Sequence, residues 1–350
     1  PIVWRYELLK YLRSKRIIAA IAIVLLVMSL IYALPPLLGH PYAGTDTEVE
    51  LEILSVGSIG WQASMPLDIE GVAILDRSQI DADSLMLYLD GEPYASDDGA
   101  VWSMTRLTVS GLSSNVVLFM ENVTGHEVTA TYEWYTAADD FEAGFLGFAS
   151  MLVMICATFF GADAIVSEFQ NRTGYLVFPN PIKRTTLFLG KFAASMTSSI
   201  LLIAIMYVGV GILSLFASRG IDDDFLLSLA FTLEYLLAAM AVAYVISSVL
   251  KGSTGAIVLT FFMFLMILPI VDGMSMIANV KVEASLTFAG GVMQYILYDP
   301  YPVDTTMDIP GMSVSSFYPD PATAAIVMAS YAAIGLALGL ILFKRKQLVG

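Results

Sequence analysis

The sequence predicts an α-helical polytopic membrane protein with six transmembrane helices and an all-β extracytoplasmic domain inserted between helices 1 and 2. Three observations lead there. Hydrophobic residues make up 57% of the chain and charged residues only 14%, a balance foreign to soluble domains. Six apolar windows are each long enough for a helix to cross hydrocarbon, which takes roughly 20 residues. One long polar block, residues 39–142, instead shows strand-like alternation.

The windows are 17–38, 143–162, 192–218, 225–250, 252–271 and 321–343, and only the fourth is interrupted by a charge, at Glu234. They are read as helices because open backbone cannot face lipid. The first is expected to be a retained span: it is long, and no small-residue cleavage site precedes a soluble chain. Lys and Arg set the orientation. Arg5, Lys10, Arg13, Lys15 and Arg16 precede the first span, and Arg172, Lys183, Arg184 and Lys191 lie in the segment 163–191 between spans two and three. Lys251 follows span four, and Lys344, Arg345 and Lys346 fall in the tail 344–350. Both termini are therefore expected in the cytoplasm. The 39–142 insert, the 219–224 turn and the 272–320 loop are expected outside the cell membrane.

Residues 1–16 read as an amphipathic helix lying in the inner interface, with Trp4, Leu8, Tyr11 and Leu12 at helical spacing. The insert reads as a compact sandwich or barrel. Val49, Leu51 and Ile53 alternate with Glu50 and Glu52, and Val128, Ala130, Tyr132 and Trp134 alternate with polar neighbours. Asp90-Gly91, Asp98-Gly99, Ser110-Gly111 and Thr124-Gly125 supply turns. Leu286–Tyr298 is too short to span and suits a partly inserted outer helix pair or a surface segment.

The insert holds nineteen Asp/Glu and two Lys/Arg, a net of −17 in a chain whose total is −15, so the rest carries about +2. Such an outer surface is either solvating or a cation-attracting vestibule, and it repels nucleic acid. The single cysteine, Cys156, lies in a span, so no disulfide braces the insert.

Chemical signatures are missing. His40 and His126 stand far apart, with no HExxH pair, and no Gly-x-Ser-x-Gly elbow occurs. Gly190-Lys191 lacks both the first Gly and the Ser/Thr of a phosphate-cradling loop. No enzyme activity, cofactor or metal is therefore expected in this chain. Asp81-Ala82-Asp83 and Asp97-Asp98 are surface acids that either touch a cation or are simply solvated. Glu234, about ten residues into span four, is either a lining group of the translocation path or a structural buried acid. Gly335 and Gly339 form a GxxxG pair that permits close helix contact.

The segment after span two carries Asp163, Glu168, Phe169, Arg172, Thr173-Gly174, Tyr175, Pro181, Lys183-Arg184 and Leu189-Gly190-Lys191. It resembles the first cytoplasmic loop of ABC-2 type transporter permeases, although Thr173-Gly174 reverses the usual Gly-Thr order. The resemblance extends to the basic interfacial helix, the six spans and the longer outer loop before the last span. An ectodomain after span one is similar to that of A-subfamily halves.

The resemblance implies a permease that forms the translocation path with a second permease chain, identical or related, and works on separate ABC ATPase subunits. Those subunits would hold ATP and Mg²⁺, and cargo would be exported. Residues 166–178 would be the coupling helix, with Glu168, Phe169, Arg172, Thr173, Gly174 and Tyr175 at the ATPase. Pro181, Lys183, Arg184, Gly190 and Lys191 would shape the start of span three. Read from the residues alone, a cation-coupled transporter or channel using Glu234, and a membrane-anchored sensor or envelope-binding protein, stay open. The cargo is not legible.

Overall fold

The computed structural model describes residues 2–54, 69–75, 77, 79–94, 101–109, 112–170, 183–309 and 312–345. The chain divides into two compact units: Pro1–Ile31, Glu142–Ile212 and Asp222–Gly350 form one, and Tyr32–Phe141 with Leu213–Ile221 the other.

The second unit is the expected β-rich domain. Strands β1 (Ala43–Glu50), β3 (Gln79–Ile80), β4 (Met86–Leu89), β5 (Glu92–Pro93) and β8 (Val128–Tyr135) make one sheet in the order β1-β8-β4-β5, with β3 also paired to β8. Strands β2 (Gly71–Leu75), β6 (Trp102–Val109) and β7 (Leu112–Phe119) make a second, ordered β2-β7-β6. All pairings are antiparallel. The alternation along β8 is the reason: Val128, Ala130, Tyr132 and Trp134 turn inward. There they meet Ala73, Leu75, Val117 and Phe119 of the other sheet in one core. Two inner faces sharing a core make a sandwich.

Two arginines brace it. The Arg77 guanidinium lies 3.9 Å over the Trp134 ring. It also grips Asp46 with two hydrogen bonds, of 2.8 and 3.2 Å, the strong bidentate form. Arg219 pairs with Asp81 at 2.8 Å and Glu133 at 3.1 Å. Asp81 thus has a structural partner, and its carboxylate also accepts from the Asp83 amide. Among the described residues no His, Cys, Asp and Glu come together as a metal-holding group.

The Arg77 hydrogen bonds hold the Asp46 carboxyl below its ordinary value. A depressed acid contributes stability above its unfolded pKa, about 3.9, and that contribution is lost as pH falls through the folded value. Asp46→Asn is therefore expected to lower the sandwich's melting temperature at neutral pH. It should also flatten the acid-side decline seen by intrinsic fluorescence. An unchanged pH profile would contradict this assignment.

The first unit is helical. It comprises α1 (Ile2–Leu12), α2 (Lys15–Leu37, up to Ile31), α3 (Ala138–Cys156, from Glu142) with a π-turn at Ala157–Gly161, and α4 (Val166–Gln170). There follow α5 (Arg184–Ala217, up to Ile212), α6 (Phe225–Val249), α7 (Ser253–Phe262) with a π-turn at Met263–Ile267, and α8 (Leu268–Ala278). Short α9 (Leu286–Gly290) and α10 (Val292–Tyr295), the hairpin β9 (Thr305–Ile309) and β10 (Met312–Ser316), and α11 (Pro321–Arg345) complete it. Among the described residues, six helical stretches are long and apolar enough to cross a membrane: Ile17–Leu37, Ala138–Gln170, Arg184–Ala217, Phe225–Val249, Ser253–Ser275 and Pro321–Arg345. The π-turn before α8 has a local cause. Pro269 has no N–H to give to the preceding turn, and the Leu268 amide reaches back to Met263 instead.

Helix α6 is the axis of this unit, with Tyr235 and Tyr244 fully buried. Gly335 and Gly339 serve contact within the chain. A Cβ on Gly335 would stand 2.9 Å from Ala241 Cβ, and one on Gly339 3.1 Å from the Phe188 ring. The segment 286–295 forms two short helices that pack into this unit. Leu286, Ala289, Val292 and Met293 are buried, and Gly290 lies against the Tyr235 ring, leaving no space for a Cβ.

Candidate functional site

The site grows from the first turns of α5. Gly190 and Lys191 there have two different jobs. At Gly190 a side chain would strike Val3 at 2.7 Å, so the missing Cβ lets α1 lie directly on α5. That approach carries Glu7 inward. Lys191, only 1% exposed, donates to Glu7 Oε1 at 2.9 Å and to Glu168 Oε1 at 2.7 Å. One ammonium therefore ties three elements together: α1, α4 and α5. The other Glu7 oxygen has Lys10 Nζ 3.7 Å away. Burying a lone charge is costly, so each member of this cluster depends on the others.

A second polar layer lies beside it. The tight turn after the π-turn frees the Phe160 carbonyl, because the Ala164 amide bonds Gly161 instead. That oxygen accepts from Ser195 at 2.8 Å and from the Tyr11 hydroxyl at 3.3 Å. Ser195 Oγ also meets the Tyr244 hydroxyl at 2.8 Å. Burial raises the Tyr11 phenol above its ordinary value, which keeps it a neutral hydroxyl. π-turns of this kind recur at functional positions.

The chain leading into α4 is fastened to α6. Ser247 Oγ accepts from the amides of both Ile165 and Val166, at 3.0 and 3.1 Å, doing from a distance what an N-cap does locally. Gln170 Oε1 accepts from the Ser253 amide at 2.6 Å. Ser247→Ala would leave two buried amides without this acceptor, a loss of about 1–3 kcal/mol. The expected outcome is a lower thermal midpoint with the chain still folded. A midpoint equal to that of the parent would show that the bond carries no stability.

The residues expected to matter are placed as follows. Glu168 turns inward and accepts from Lys191. Phe169 packs edge-on against Phe343, with centroids 6.2 Å apart. Lys183 is exposed, and Arg184 donates to the Lys344 carbonyl at 2.8 Å. Arg172, Thr173, Gly174, Tyr175 and Pro181 lie outside the described residues. Glu234 is half-buried and makes no ion pair among the described residues. Sequence reasoning does not single out Glu7 or Tyr11 for this role. The available signal for Glu7 is that it is the one acid in an otherwise basic stretch, 1–16.

The six spanning-length helices among the described residues make this a multi-pass membrane protein, and a buried charge cluster joins three of its elements. The profile of the ABC-2 family transporter proteins matches residues 2–348. The chain belongs to that family of transporter membrane proteins, whose members in general partner ABC ATPase subunits. No curated protein is matched.

Proposed function

We propose that this chain is the permease subunit of an ABC-2 type ABC exporter. Two such chains, identical or related, enclose the translocation path and sit on separate ATP-binding subunits, where ATP and Mg²⁺ are held. Both termini are cytoplasmic and the sandwich is outside, as the Lys/Arg distribution favours. The segment beginning at α4 is the coupling element, with Phe169, Arg172, Thr173, Gly174 and Tyr175 at the ATPase surface. Pro181, Lys183, Arg184 and Gly190 set the return into span three.

The observation that carries this reading is the Lys191 bridge to Glu7 and Glu168. A push on α4 is delivered through Glu168 to Lys191 on α5 and through Glu7 to α1. Because interiors are close-packed and bistable rather than soft, a small displacement at α4 moves those helices together. Glu234 lines the path. That it makes no ion pair among the described residues is also the one observation that favours the second reading, a cation-coupled transporter.

The test is co-purification of the full-length chain with its ATPase subunit, followed by ATP hydrolysis in liposomes. A stable complex whose hydrolysis is stimulated by the permease supports the proposal. Weakened stimulation with Arg172→Ala is expected too. Transport that follows a sodium or proton gradient without an ATPase, and stops with Glu234→Gln, would replace it with the second reading.

A further inference from the structure

Helices α5 and α11 bring two sequence-distant basic pairs to one place. The Arg184 guanidinium bonds the carbonyl of Lys344, and Phe188 packs on Phe343 at 5.9 Å and beneath Gly339. The first turn of α5 and the last turn of α11 therefore lie side by side. Lys183 immediately precedes α5 and Arg184 opens it, while Lys344 and Arg345 end α11. Lys183, Lys344 and Arg345 are exposed, and none of these three forms an ion pair among the described residues. Neither helix carries a single Asp or Glu: residues 184–217 and 321–345 contain none. Lys191, Arg77, Arg219 and Lys281, by contrast, are each paired with an acid. Here three exposed cations gather beside Arg184, and neither helix supplies an acid to them.

We propose that this cluster is a binding site for the headgroup of an anionic phospholipid. The neighbouring surface supports a lipid rather than a soluble anion. One turn further into the bundle, Leu189 and Ile341 are exposed, 49% and 46% respectively. An acyl chain entering from the cations would lie along them. Basic groups grouped between spanning helices at a membrane boundary are the general chemistry of acidic headgroup capture. The site is independent of the Lys191 cluster and does not require the exporter reading.

The test uses the full-length protein in detergent, titrated with phosphatidylglycerol or phosphatidylcholine and read by native mass spectrometry. The parent is expected to retain phosphatidylglycerol in preference to phosphatidylcholine. A Lys183→Gln/Lys344→Gln/Arg345→Gln variant is expected to lose about a hundredfold in affinity for the acidic lipid, each cation being worth roughly fivefold. A charge-matched control, Arg5→Gln/Arg13→Gln/Lys15→Gln, removes three exposed cations elsewhere and should keep the preference. Equal losses in the two variants would reduce the effect to general surface charge and overturn the site. So would equal retention of the two lipids, or displacement of phosphatidylglycerol by inorganic phosphate at matched concentration. If the cluster variant instead fails to bind the ATPase subunit while retaining lipid normally, the cations serve a protein partner and the proposal falls.

Discussion

Lys191→Met is expected to be among the most damaging single changes in the chain, costing about 3–5 kcal/mol. Methionine approximates the volume of the side chain but removes the charge, so the buried Glu7 and Glu168 carboxylates face each other without their shared cation. The change breaks both ion pairs at once. Glu168→Gln is expected to cost less, because the Lys191–Glu7 pair stays neutral as a unit. The decisive comparison is the triple variant Lys191→Met/Glu7→Gln/Glu168→Gln, which removes every charge and should recover much of the lost stability. These variants are compared by thermal unfolding in detergent. If Lys191→Met melts with the parent, or the triple variant is no better than the single, the cluster does not hold the joint together.

Gly335→Leu is the second large effect. A Cβ there stands 2.9 Å from Ala241 Cβ and 3.1 Å from its carbonyl carbon. The second is backbone and cannot rotate away. Helices α6 and α11 must separate, a cost of about 1–3 kcal/mol or more. Gly144 supplies the control, since nothing lies within 4 Å of a Cβ at that position. Gly144→Leu is expected to fold as the parent does. Equal stability of the two leucine variants by thermal unfolding would refute the close approach.

What could be read from the residues divides along a physical line. Spans are legible because hydrocarbon demands a run of apolar residues, and 225–250 declares itself whatever its neighbours do. The sandwich is legible for a similar local reason. Val128, Ala130, Tyr132 and Trp134 alternate at the strand period, and the structure buries all four.

The joint is a different matter. In the sequence Lys191 is one more positive-inside residue, and its partner Glu7 lies 184 positions away. No period or local spacing encodes that pairing. The Leu189-Gly190-Lys191 run stands out only as part of a resemblance. Its physical content, room for Val3 at Gly190 and a buried cation one residue on, needs the packed α1 to be seen. Likewise Ser247 reads as one small polar residue in a span, and only the fold brings it to the amides of α4. Gly335 and Gly339 suggest close helix contact, but which helix they meet depends on tertiary packing.

The exporter reading requires α4 to lead into a surface gripped by an ATPase subunit. The direct measurement is cross-linking from Gln170, which is exposed at the end of α4. The background is Cys156→Ala, which removes the only native thiol, itself buried. With Gln170→Cys as the sole cysteine, a short thiol-reactive cross-linker should join this chain to the co-purified ATP-binding subunit, and the yield should change when ATP is added. If the cross-link fails to form in an intact complex while an impermeant reagent labels the introduced thiol from outside the membrane, α4 faces the wrong side and the coupling role is contradicted.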